Sequence, residues 1–151
     1  MSFPTDFDFL VDSWKIQNKR INSSGIWETF DGYSTGIKYL DGQMILDTYN
    51  AIFPSGFELK GLNLRFYDSN ASKWNIIWLD NYTPPDYTPL IGGFTNGIGS
   101  FVRDKIIENN KKIDIKFTWD NITATKAHWR QEFSFDKGLT WELQWDMIYY
   151  K

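Results

Sequence analysis

The chain has no cysteine, which excludes disulfides and thiolate metal sites and points to a reducing compartment. It has one histidine, so no zinc site can be completed from Cys and His ligands. Long apolar runs are missing too: nothing approaches the ~20 residues needed to span a bilayer, and no membrane partner is expected. The stretch from Met1 to Asp6 carries neither a basic segment nor the apolar run of a secretion signal, so a cytoplasmic location is the expectation. Four Asn-x-Ser/Thr tripeptides, starting at Asn22, Asn70, Asn81 and Asn121, then read as chance in an Asn-rich chain. Basic charge is not concentrated anywhere, and the net charge is −3. Nucleic-acid binders show a basic patch or stripe, so nucleic acid is not an expected partner.

Aromatic side chains are abundant. The 151 residues include 12 Phe, 8 Tyr and 8 Trp. A chain of this length fits a single domain over residues 1–151 that buries roughly two-thirds of its unfolded surface without staples. Such a domain packs these rings either against each other or around a ligand.

The dominant sequence period is two, the mark of half-buried strands. It runs through Trp141 to Met147, Ile113 to Trp119 and Ala127 to Phe133, the last with Gln131 in an apolar row. Further strands are expected over 14–21, 26–30, 36–40, 44–51, 57–67, 73–79 and 98–107. Turn signals separate them, among them Asp31-Gly32, Asp41-Gly42 and Pro54-Ser55-Gly56. Only Pro4 to Val11 reads as helical, with Thr5 or Asp6 as its cap. The fold class that follows is all-β: an antiparallel meander of about eight to ten strands with a short N-terminal helical turn. Closure into a barrel is favoured over a sandwich because it removes exposed edges. Residues 81–93 hold three of the five prolines and no strand pattern, and read as a stiffened surface crossover, narrowly favoured over a functional lid.

Ser134-Phe135-Asp136-Lys137-Gly138-Leu139-Thr140-Trp141 spells Ser-x-Asp-x-Gly-x-Thr-Trp, the pattern of the Asp-box hairpin. Asp136 can accept backbone N–H groups across the turn and Gly138 can supply positive φ. One copy cannot build the repeated blades of a propeller, so the motif is structural. His128 alternates onto the polar face with Arg130 and Glu132 and has no orienting partner nearby in sequence, which makes it a poor general base. Nucleotide-binding and nucleophile-elbow motifs are missing.

Several segments together resemble a bacterial family of lipocalin-like domains of unknown function. Phe7 to Ile16, with Trp14 heading the first strand, is similar to the start of lipocalin-like barrels. Leu64 to Asp68 with Trp74 and Trp78, Asn96-Gly97 with Gly99 and Phe101, and Phe117 to Thr123 match further along. So do Ala127, Trp129, Gln131 and Phe133, and then Thr140 to Glu142 with Trp145 and Met147. The resemblance implies a calycin barrel related in shape to fatty-acid-binding proteins and nitrobindin. It brings no established activity, and His128 lies in no motif matching nitrobindin's haem ligand, so no cofactor is expected.

The sequence therefore leads to a binding module, a monomer or homodimer that holds a small hydrophobic or aromatic molecule in the barrel. Trp14, Trp78, Trp129 and Trp145 are the expected walls, and Arg65 and Gln131 the polar handle. Arg65 shares a face with Asn63 and Tyr67, although Leu62, Leu64 and Phe66 make the opposite face an equal candidate for the interior. An isomerase or cyclase that shapes a reactive substrate in the same cavity is the alternative, since such chemistry needs little beyond orientation and hydrogen bonds. A core filled by tryptophan, with no cavity, is a third.

Overall fold

The computed structural model describes residues 2–151. Ten strands follow in order: β1 (Ser13–Ile21), β2 (Trp27–Tyr39), β3 (Met44–Ile52), β4 (Glu58–Asp68), β5 (Lys73–Asp80), β6 (Leu90–Thr95), β7 (Ile98–Ile107), β8 (Lys111–Asp120), β9 (Lys126–Ser134) and β10 (Glu142–Tyr150). Each pairs antiparallel with the next, and β1 also pairs with β10, so the sheet closes on itself. Lys15 lies opposite Tyr150 across that closure, and Arg20 opposite Trp145.

Strand alternation puts one face of every strand inside. In β1, Trp14, Ile16 and Asn18 are buried while Lys15, Gln17 and Lys19 face out. β4 follows the same rule and settles which of its two candidate faces is inside. Leu59, Gly61, Asn63 and Arg65 point inward, and Leu62 and Phe66 are exposed. The face with Asn63 and Arg65 is the inner one, and this polar row is held by partners described below.

The structure departs from the sequence expectations in four places. Asp31-Gly32 is not a turn: β2 runs through it as one strand, with Gly32 paired to Ile16 and Ala51. The Asn18 amide and the Tyr49 ring press against the strand at Gly32, which explains a glycine there without a chain reversal. β6 lies within the stretch read as lacking a strand, because Gly92 and Gly93 break the apolar alternation. The pairing of β9 with β10 shifts between Leu143 and Trp145. That irregularity turns Leu143 outward opposite Glu132, so the regular alternation from Trp141 to Met147 does not describe one face. Finally, the N-terminal helical piece is a 3-10 turn at Asp8–Leu10 with Phe7 at its cap position and no side-chain cap.

That N-terminal segment plugs one end of the barrel. Phe7 and Leu10 are completely buried. The Phe7 ring meets Trp74 and Phe94 edge-on at 5.0 Å each and stacks on Phe101 at 5.4 Å. Trp14 Nε1 donates to the Phe9 carbonyl, Trp74 Nε1 to the Phe3 carbonyl and the Tyr67 hydroxyl to the Ser2 carbonyl. Asp6 accepts from the Ser2 hydroxyl and the Phe3 N–H, so it ties the segment to itself rather than capping a helix. Gly36 permits the close seat, since a Cβ there would stand 2.1 Å from the Leu10 carbonyl oxygen.

Candidate functional site

Above the plug the interior is not filled. A chamber of about 60 Å3 is lined by Tyr49, Trp78, Phe117, Trp119, Trp129, Trp145, Met147 and Tyr149, with Asn63, Arg65 and Gln131 as its polar members. A water molecule needs roughly 10–15 Å3, so the space equals about four to six waters and is less than half of the ~150 Å3 that holds a benzene ring.

Three adjacent strands build one wall in layers. Phe117, Gln131 and Trp145 lie in register across β8, β9 and β10. Trp119, Trp129 and Met147 form the next layer toward the plug. Edge-on ring contacts lock them: Phe117 with Trp129 at 4.9 Å, and Trp129 with Trp145 at 6.2 Å. The buried Asn18 fixes the opposite corner. Its Oδ1 accepts from the Tyr49 hydroxyl at 2.7 Å and Trp145 Nε1 at 3.1 Å, and its Nδ2 donates to the Phe30 carbonyl. Burial pushes the phenols of Tyr49 and Tyr149 well above the usual range, so both stay neutral.

Arg65 forms the chamber's floor with the plug beneath it. The Asp47 carboxylate accepts from its Nε and Nη2, and the remaining capacity of Asp47 takes Asn63 Nδ2 at 3.1 Å. Both Asp47 and Arg65 are almost fully buried, and the guanidinium carbon sits 4.6 Å from the Phe7 ring centre. Asp47 is the partner that turns β4 polar-side-in. Sequence reasoning missed it, because Asp47 and Arg65 meet only through strand pairing.

Gln131 marks a boundary. With Trp78 and Phe117 it lines both the chamber and a second cavity of about 210 Å3, under the proline-rich stretch 81–89. Among the described residues its amide makes no hydrogen bond. The stretch above is firmly tied. Asp80 Oδ1 accepts from the N–H groups of Tyr82 and Thr83, while Arg103 donates to the Thr88 carbonyl and to Asp86. The Arg103 hydrogen bond, with one from the Thr88 N–H, holds the Asp86 carboxyl at about 2. The segment thus walls an outer vestibule instead of only crossing the surface. Gly61 gives the Trp78 ring its room, since a Cβ there would lie 2.0 Å from the ring edge.

Of the residues expected at the site, Arg65, Trp78, Trp129, Gln131 and Trp145 all line the chamber. Trp14 does not. It packs against Tyr149 at the plug level and spends its N–H on the Phe9 carbonyl. Sequence alternation placed it inside correctly but could not say at which height. Tyr49, Trp119 and Tyr149 went unnamed, although Trp119 stands in the same alternating row as Phe117.

His128 faces outward, as alternation requires, but it does not lack partners. Its Nδ1 lies 3.0 Å from Asp120 Oδ1 and its Nε2 2.6 Å from Asp146 Oδ1, and Arg130 donates to Asp120 at 2.7 Å. Both aspartates sit opposite or beside it on paired strands, which sequence distance concealed. The Asp-box forms as a local clasp. Asp136 accepts from the Ser134 and Thr140 hydroxyls and the Thr140 N–H, and Gly138 adopts φ 87°. Trp141 lies on the barrel's outer surface beneath the Lys116 ammonium, 4.2 Å from ring centre to nitrogen.

No family model matches the chain, and no curated protein does. Among solved structures the chain is similar to a redesigned β-barrel at 9% sequence identity and a TM-score of 0.49, with 100% of this chain and 98% of that one covered.

Proposed function

We propose that this protein is a cytoplasmic, lipocalin-like barrel of the calycin type that binds a small hydrophobic or aromatic molecule in its inner chamber. One observation carries the reading. In a barrel otherwise packed with rings, four tryptophans and two tyrosines hold one another edge-on around a space that no side chain fills. The chamber alone is smaller than the ~150 Å3 that holds a benzene ring, so a one-ring occupant reaches past Gln131 into the cavity of about 210 Å3 that shares its lining. Binding is favoured over isomerase or cyclase chemistry that moves a proton, because no carboxylate or imidazole is among the described residues lining the chamber, and Asp47 at the floor is engaged by Arg65 and Asn63.

Native mass spectrometry of freshly purified protein, followed by release under denaturing conditions, tests the proposal. A small apolar molecule at up to one per chain is expected. If none is found, and toluene causes no saturable shift of the Met147 methyl resonance, the reading fails.

A further inference from the structure

We infer that the chamber's ligand is an uncharged molecule of about one ring that presents a carbonyl-type oxygen to Arg65 Nη1 and Trp119 Nε1. The inference rests on the binding function proposed above and names the class of molecule bound.

Arg65 is 2% exposed and Trp119 fully buried, and both line the chamber. Their side chains are neighbours, with the guanidinium carbon 5.7 Å from the centre of the indole. Among the described residues, Nη1 of the one and Nε1 of the other have no hydrogen-bond acceptor. Buried donors without acceptors are rare, and each needs a reason. General looseness is not the reason here. Trp14, Trp74, Trp78 and Trp145 all donate their indole N–H to an acceptor within the chain. The two orphaned donors belong to neighbouring side chains that both line the chamber.

The charge balance decides what kind of acceptor fits. Asp47 engages Arg65 side-on through Nε and Nη2, which neutralises the pair and leaves Nη1 on the free edge. Both tyrosine phenols lining the space are neutral at ordinary pH. An anion would bring a second negative charge to a cation that already has its partner, and would shed its hydration to do so. A carbonyl oxygen has two lone pairs and no donor of its own, which matches two unpaired N–H groups on neighbouring side chains. The apolar remainder of such a molecule meets Phe117, Trp129 and Tyr149.

Three probes of nearly equal shape test this: acetophenone, α-methylstyrene, in which a CH2 group replaces the carbonyl oxygen, and benzoate. Affinities are read from proton–nitrogen spectra of the wild-type protein. The Trp119 indole signal is assigned by its loss in Trp119→Phe, which keeps a ring in place. Acetophenone should bind about tenfold or more tightly than α-methylstyrene, as two added hydrogen bonds warrant, and should move the Trp119 N–H signal downfield. Benzoate should bind more weakly than acetophenone. In Trp119→Phe the ketone preference should fall to within about threefold while α-methylstyrene binds as before. The wild-type ketone and alkene measurement stands even if that variant does not fold. Equal binding of the two, or tighter binding of benzoate, overturns the inference and leaves the chamber a binding site. No saturable binding of any probe overturns both.

Discussion

The two ends of the barrel interior solve the same packing problem differently. At the plugged end, Phe7 is enclosed by Trp74, Phe94 and Phe101, and the polar edges of nearby rings find carbonyls of residues 2–9. At the chamber end the rings are as large, but they surround open space and leave two donors unpaired. Aromatic content is therefore no guide to whether a barrel is full. What distinguishes the ends is a second chain segment: the N-terminal stretch supplies both the filler and the acceptors, and among the described residues nothing does so above Arg65.

The comparison breaks most sharply at Phe7. Phe7→Ala should cost about 3–5 kcal/mol in urea denaturation, since Trp74 is fixed by its hydrogen bond to the Phe3 carbonyl and the strands that carry Phe94 and Phe101 cannot collapse into the gap. Asp47→Ala should cost somewhat less, about 3 kcal/mol, although it strands a buried guanidinium. The chamber beside Arg65 can admit water to the freed donors, whereas the plug has no such reserve. Equal losses at the two sites, or a larger one at Asp47, would show that the chamber offers Arg65 no relief.

A change outside both regions calibrates these. The Thr140 hydroxyl and N–H, with the Ser134 hydroxyl, hold the Asp136 carboxyl at about 2, below its unfolded value near 4. Its contribution is fully present above about pH 4 and is lost as pH falls toward 2. Asp136→Ala should lower Tm at pH 7, without altering the chamber's affinity for toluene, and the gap from wild type should close across that acid window. A gap that persists at pH 2 would mean that the clasp works through something other than the carboxylate.

The smallest expected effect is at Gln131. Its amide has no partner among the described residues, so Gln131→Leu should change stability by less than about 1 kcal/mol in either direction. The same substitution should alter toluene affinity, because the side chain lies on the boundary between chamber and vestibule. A large loss of stability with unchanged affinity would place Gln131 in the framework and not in the site.

Much of this architecture was legible in residues two apart. Alternation put Trp129, Gln131 and Trp145 inside, and the turn residues between strands marked the meander. What escaped was whatever depends on strands meeting. Which face of β4 turned inward stayed open because Arg65's partner Asp47 lies on β3, and the two aspartates around His128 come from β8 and β10. The irregular pairing that exposes Leu143 leaves no mark on the spacing of apolar residues. The stretch 81–89 carries no ligand-binding motif, and only its position over the vestibule gives it a place in the site.

The closure between β1 and β10 has a consequence for how the protein is made. These strands lie near opposite ends of the chain, so their pairing is the most distant contact of the ladder and the last to become available during synthesis. Until the residues up to Tyr150 have left the ribosome, a growing chain carries two open strand edges, one on β1 and one on the newest strand. Unpaired edges of this kind recruit other chains. Aggregation during expression should therefore respond to the rate at which β10 is translated, even where the finished barrel has no edge to offer.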